Sequence, residues 1–386
     1  MIIQIDCMKN LLKINLDPNR IYGLDILRAL AILFVLIHHT KTLIPKERFK
    51  YIEPFLHDGV GIFFVLSGFL IGGILIKIMN GGNFTFAKLV NFWKRRWFRT
   101  LPTYFLILTV LVFLNLFFNE KFNITEHISF FFFSQNLFNS YPQFFPESWS
   151  LSVEEWFYLL IPVILFILGS FQKFNLKKNI ILTSLIIIIT ITLYRYFKFI
   201  NLEEQTINWL NFSRQVFTRL DSLMYGVFGA YLHFYNNPFW NKYKKTFLFF
   251  GISFLIIFKI YESHYASALY HCVFSFSITS ITTLLFLPYL SNIKEGNGII
   301  YKIVTYFSLT SYSIYLINFS LVKFWILNKI DFSFVSEFNG YLGIILKISL
   351  YWFLTIFLSV LLYKYYEIPT TNIRDKMTRT KKTPRK

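Results

Sequence analysis

Ten stretches of this sequence stay apolar for roughly 15–22 residues, close to what a helix needs to cross about 30 Å of hydrocarbon. They fall at about 24–43, 59–78, 100–118, 155–171, 180–197, 221–235, 246–260, 266–289, 308–327 and 341–363. The runs are continuous and do not alternate, so they read as helices rather than barrel strands. The sixth is short, and 128–138 (SFFFFSQNLFN) reads as a loop or as an interfacial or re-entrant segment. The chain is therefore expected to be an all-α polytopic membrane protein with about ten transmembrane helices. Composition agrees: 55% of the 386 residues are hydrophobic and 15% charged, against about 45–50% and 25% in soluble domains. A disordered chain, a collagen and a disulfide scaffold are excluded. Cys7 and Cys272 lie far apart, so neither a disulfide nor a metal site is expected. About 20 mixed residues precede the first run, and no cleavable signal is expected there.

A net charge of +19 would ordinarily suggest nucleic acid. On a membrane chain it reads first as orientation. With the N-terminus inside, the inner segments hold 26 Lys and Arg and the outer ones 12. That imbalance predicts both termini inside, and no nucleic-acid partner. Residues 1–23 become a cytoplasmic arm, 24–366 one transmembrane domain, and 367–386 a basic cytoplasmic tail near anionic lipid. No internal repeat is visible.

Ionisable side chains inside spans are costly, about 2.5–3.5 kcal/mol each, so each is a functional suspect. Arg28 and His39 are eleven residues apart, three turns plus about 20°, and share one helix face. Asp25 sits on the same side, within pairing distance of Arg28. His38, about 100° round, is expected to pack against a neighbouring helix. In the second run Gly61, Ser67, Gly68 and Gly72 permit close helix contact or a bend beside a cavity. Arg95, Arg96 and Arg99 form a cluster before Pro102, and arginine forks suit phosphates. The string Trp149-Ser150-Leu151-Ser152-Val153-Glu154-Glu155-Trp156-Phe157-Tyr158 puts two carboxylates at a span mouth. Adjacent carboxylates in a partly dry site suit proton transfer, and Ser152 reads as the helix cap. Arg219 and Asp221 read as a further pair, and Glu367 with Pro369 closes the last span.

These strings, in this order, resemble the acyltransferase-3 family of bacterial integral membrane acyltransferases. The resemblance covers about residues 20–370. It rests on Arg28 with ten residues before His39, FFVLSGFL at 63–70, Arg95-Arg96-x-x-Arg99-x-x-Pro102, WSLSVEEWFY at 149–158, Arg219-x-Asp221, SYSIYL at 311–316 and Glu367-x-Pro369. Two positions depart from the pattern: Asn318 where the family often has His, and Trp156 where it usually has Gln.

The resemblance implies transfer of an acyl group, most often acetyl, from cytoplasmic acyl-coenzyme A across the bacterial inner membrane. The acceptor would be a hydroxyl of a cell-envelope polysaccharide such as O-antigen lipopolysaccharide, or of a lipid-linked glycan, with no metal involved. It implies His39 as base or acyl carrier, Glu154 or Glu155 as its orienting or proton-accepting partner, and Arg28 at the donor or its carbonyl. Arg95, Arg96 and Arg99 would hold donor phosphates, with Asp25, Ser67, Ser152, Tyr158, Arg219, Asp221 and Asn318 binding or supporting. With no outer domain in view, direct delivery to the acceptor is expected. A glycan flippase using the same Arg, His and Glu residues as its path is the competing reading.

Overall fold

The computed structural model describes residues 20–82, 84–138, 143–170, 176–338 and 340–379. Cys7, most of the N-terminal arm and the end of the basic tail lie outside them. Among the described residues there is no strand, and all ten apolar runs lie on long helices. These are α1 (Tyr22–Thr40), α2 (Gly59–Asn80), α3 (Phe86–Phe118), α4 (Ser148–Ser170), α5 (Leu176–Ile200), α6 (Leu220–Tyr235), α7 (Lys244–His264), α8 (Ser275–Leu290), α9 (Gly298–Ile317) and α10 (Gly340–Leu362). Eight of them are long and apolar enough to cross a membrane on length and composition. For α8 the span includes the π-helical turn Tyr270–Phe274 that leads into it; the other two are the 16-residue α6 and α9, whose Ser, Thr and Tyr residues line the interior. The segment 128–138 is not a span: it holds part of a 3-10 helix, Ile124–Phe132, ending at Phe133 in the left-handed region.

The inner helices meet through small residues. A Cβ on Gly68 would lie 1.9 Å from the Leu223 carbonyl oxygen, and one on Gly226 2.0 Å from that of Val65. Only glycine lets α2 and α6 approach this closely, which is how helices associate without a hydrophobic drive between them. Around this crossing α1, α2, α4 and α6 form one apolar core. A second core joins α1, α3, α9 and α10. The helix α7 stands outside, exposing Phe249, Ile256 and Ile257. This is where the surplus of apolar residues meets lipid.

Helix ends alternate between two sides. Tyr22 donates its backbone N–H to Lys294 just before α9, Tyr235 at the end of α6 bonds Asn80 at the end of α2, and Trp240 bonds Ser291 after α8. Arg20 and Glu367 line one cavity, so the start of α1 and the end of α10 share a side. This is called the near end below; the described loop residues of 41–58, 119–138, 143–147, 201–219 and 327–338 form the far end.

Besides the π-helical turn Tyr270–Phe274 before α8, two interruptions at helix ends shape the interior. α9 passes into a π-helical stretch, Asn318–Ile326, and α10 into another, Tyr363–Glu367. Such stretches are strained relative to α-helix and concentrate at functional sites.

Candidate functional site

Three cavities follow one another through the bundle. At the near end, one of about 260 Å³ is lined by Arg20, Arg28, Arg99 and Glu367. It shares Arg28, Arg99 and Glu367 with a middle cavity of about 460 Å³ that includes Ser67, Arg96 and Glu154. A far cavity of about 500 Å³ contains His38, His39, Glu147 and Lys323. Val60 and Tyr315 line both the middle and the far cavity.

The near end is held together by charges. Asp25, 3% exposed, accepts from Arg20 through both carboxylate oxygens and from the Ser308 hydroxyl at 2.6 Å. Arg28 stands 3.7 Å from the same carboxylate and donates to Ser308 at 3.4 Å. The expected Asp25–Arg28 pair is present, with Arg20 as a closer partner that sequence reasoning passed over.

Successive helix positions diverge by 100°, and the arginine cluster splits accordingly. Arg95 and Arg99 are both exposed, but Arg99 lines both near cavities whereas Arg95 lines none of the three. Arg96 turns inward: it donates to the Tyr158 hydroxyl, stacks 4.1 Å from that ring and lies 3.7 Å from Glu154. Ser67 bonds the same hydroxyl at 2.7 Å. Glu155 accepts from Thr100 at 3.0 Å.

The far cavity is organised differently. His39 Nδ1 lies 2.5 Å from Asn318 Oδ1. The Asn318 amide nitrogen donates to the carbonyls of Ile314 at 2.9 Å and Tyr315 at 2.8 Å, so its oxygen must face the ring. Nδ1 therefore carries the proton and donates it, leaving the Nε2 lone pair available. Tyr351 also donates to Asn318 Oδ1, at 3.2 Å. Phe319 packs 4.6 Å from the imidazole, and Lys323 donates to the His39 carbonyl at 2.9 Å.

Arg28 bonds Ser308 on α9 and His39 bonds Asn318 at the start of the π-helical stretch that continues it, consistent with their shared face. The glutamates do not join His39: Glu154 lines the middle cavity instead, and the partner of the ring is Asn318. They sit two turns inside α4 because that helix begins at Ser148, earlier than its apolar run. For the same reason Ser152 is not a cap; its buried hydroxyl donates back to Ser148 at 3.4 Å. His38 is exposed and lines the far cavity, which opens around the last turn of α1.

Arg219 and Asp221 do not pair with each other. Arg219 bonds Asp58 at 2.9 Å, while Asp221 is held at 2.7 Å by Arg195, both partners being fully buried. Trp156 uses its indole N–H on the Phe133 carbonyl at 3.0 Å, securing the far-end loop.

Glu147 was not singled out in the sequence. It is 3% exposed, just before α4, and lines the far cavity. Its two carboxylate oxygens accept from the Ser320 N–H at 2.9 Å and the Ser320 hydroxyl at 2.6 Å. Burial pushes this carboxyl up to about 7 despite those bonds. The signal was available: Glu147 is an acid flanked by FFP and SW at a span mouth, the same criterion that selected Glu154. Tyr315, which closes the far side of the middle cavity, accepts from Ser150 at 2.7 Å and donates to the Glu147 carbonyl at 3.0 Å.

Comparison with known proteins identifies a family. The family model described as "Acyltransferase domain" matches residues 21–364. The O-acetyltransferase OatA of Staphylococcus aureus (strain NCTC 8325 / PS 47) is 33% identical over 185 residues, covering 44% of this chain and 29% of that protein. The peptidoglycan O-acetyltransferase OatA of Listeria monocytogenes serovar 1/2a is 31% identical over 165 residues, covering 39% and 25%. The chain thus spans less than a third of the length of these relatives. No solved structure matches.

Proposed function

The chain belongs to the acyltransferase family, and from that premise we propose that it is a membrane O-acyltransferase carrying an acyl group, in the first instance acetyl, from acyl-coenzyme A to a hydroxyl of a cell-envelope glycan. The observation that carries this reading is the succession of cavities: an arginine-lined mouth at one end and a tautomerically fixed histidine at the other, separated by Val60 and Tyr315.

The near end is the cytoplasmic side in this reading, with both termini inside the bacterial inner membrane. The excess of Lys and Arg on the near-end segments supports it. Arg20, Arg28 and Arg99 receive the phosphates of the donor, and Arg96 is held back to order Tyr158 and Glu154. The thioester reaches past Tyr315, and the acceptor enters the far cavity.

His39 Nε2 takes the proton of the acceptor hydroxyl as its oxygen attacks the thioester carbonyl. The imidazolium formed is stabilised by the Asn318 oxygen. Collapse of the tetrahedral adduct breaks the carbon–sulfur bond, and the proton passes to the departing thiolate. The name of the Listeria relative makes peptidoglycan the first acceptor to test, ahead of O-antigen.

His39→Ala should remove acetylation of the envelope glycan, a loss of about 100-fold or more, while the protein still inserts. Mass spectrometry of glycans from a deletion strain complemented with either form reads this directly. Wild-type acetylation by the variant would remove His39 from the mechanism. Loss of whole glycan units from the deletion strain, instead of acetyl groups, would favour a flippase.

A further inference from the structure

His39 is gripped by one short stretch of chain. Asn318 accepts from its ring, Phe319 packs against the ring, and Lys323 donates to its backbone carbonyl. All three belong to the π-helical stretch Asn318–Ile326. The switch from α to π spacing interrupts the regular ladder of backbone bonds, so this stretch needs support from outside itself. Ser320, two residues after Asn318, gives both its N–H and its hydroxyl to the two oxygens of Glu147. Glu147 comes from the loop before α4, and its carbonyl also takes the Tyr315 hydroxyl. One buried acid therefore ties the loop, the π-helical stretch and the end of α9 together beside the imidazole.

We propose that Glu147 is a positioning residue for acyl transfer, which through Ser320 fixes the turn that presents Asn318 to His39. Glu147 acts on the ring only through that turn; its own oxygens are occupied by Ser320. The proposal rests on the reading of His39 as the base.

The test is a double-mutant cycle in inverted membrane vesicles carrying the full chain, supplied with radiolabelled acetyl-coenzyme A, with label followed into the endogenous glycan. Rates are normalised to the amount of inserted protein and measured against donor concentration. Glu147→Ala and Asn318→Ala should each lower the maximal rate by about 10–100-fold, the range typical of groups that orient a functional side chain. The donor KM should stay within about twofold, because neither residue lines the arginine cavities. The double variant should be no slower than Asn318→Ala, since both act through one contact. Glu147→Gln, which can still accept from one Ser320 donor and donate to its hydroxyl, should recover most of the rate.

Losses that multiply in the double variant would overturn the proposal, as would a Glu147→Gln variant as slow as Glu147→Ala. Should Glu147→Ala fail to accumulate, Ser320→Ala carries the same test: a several-fold loss of maximal rate with donor KM unchanged supports the proposal, and an unchanged rate overturns it. A His39→Ala control that still transfers acetyl would sink the base reading itself, an outcome distinguishable from failure of the cycle.

Discussion

The two ends of the bundle hold their polar residues in opposite ways. At the near end charges answer charges: Arg20 and Arg28 share Asp25, and Arg96 leans on Glu154. Arg99 adds another cation to the mouth. At the far end His39 is surrounded by an amide oxygen, an aromatic ring and the donor on its own carbonyl. An arginine-rich mouth favours an anionic ligand. The ring itself meets an amide and not a carboxylate, which fixes where a proton sits without a counter-charge on the imidazole, while the Lys323 cation is held on the backbone carbonyl. One end is suited to holding a ligand, the other to moving a proton, and each should fail in its own way when changed.

Asn318→Ala is the largest break on this view. Removing the acceptor frees Nδ1 and Nε2 to exchange the proton, and the maximal rate should fall by up to about 100-fold with little effect on donor affinity. Steady-state rates against donor concentration check this, and a raised donor KM would blur the division between the ends.

Arg99→Ala should do the reverse. Loss of one charge-assisted contact, about 1.5–3 kcal/mol, should raise the donor KM by about 10–100-fold and leave the maximal rate within a few-fold. Added salt should mimic it weakly, because an open arginine mouth is screened.

The smallest effect concerns stability. The Glu147 carboxyl is raised from 4.5 to about 7 by burial, so the fold favours its neutral form. The unfolded chain releases this proton first, and stability from this residue falls as pH climbs from about 4.5 to 7, then levels off. Thermal melts of detergent-solubilised wild type and Glu147→Gln should diverge across that window, with the wild type losing more on the alkaline side. Parallel curves would show that the carboxyl titrates equally in both states.

Periodicity made the helices legible, because a lipid-facing segment must be apolar over a fixed length whatever its partners. The shared face of Arg28 and His39 was legible for the same reason: one straight helix carries both. What failed was pairing between helices. Asp221 was matched to its sequence neighbour Arg219, yet its partner is Arg195 on α5, a cation near the end of the fifth apolar run. Arg195 lies on the helix three residues before Lys198, and nothing in hydropathy distinguishes a cation at a span end from one buried in the bundle. Glu154 and Glu155 were placed at a span mouth because the apolar run was taken as the helix, whereas α4 starts seven residues earlier than that run. The partner of His39 lay in plain view as a departure from the family pattern, Asn318, and its significance needed the two carbonyls that orient its amide.

The layer formed by Val60 and Tyr315 has an electrical consequence. A bilayer ordinarily spreads its potential over about 30 Å of hydrocarbon, and one elementary charge crossing 100 mV exchanges about 2.3 kcal/mol. Cavities reaching this layer from both ends, once filled with water, carry each bath's potential inward, so most of the voltage falls across a single aromatic ring and its neighbours. The tyrosine hydroxyl, stapled to Ser150 and to the Glu147 carbonyl, then stands where the field is steepest, and insulation becomes a duty of the ring that lines both cavities.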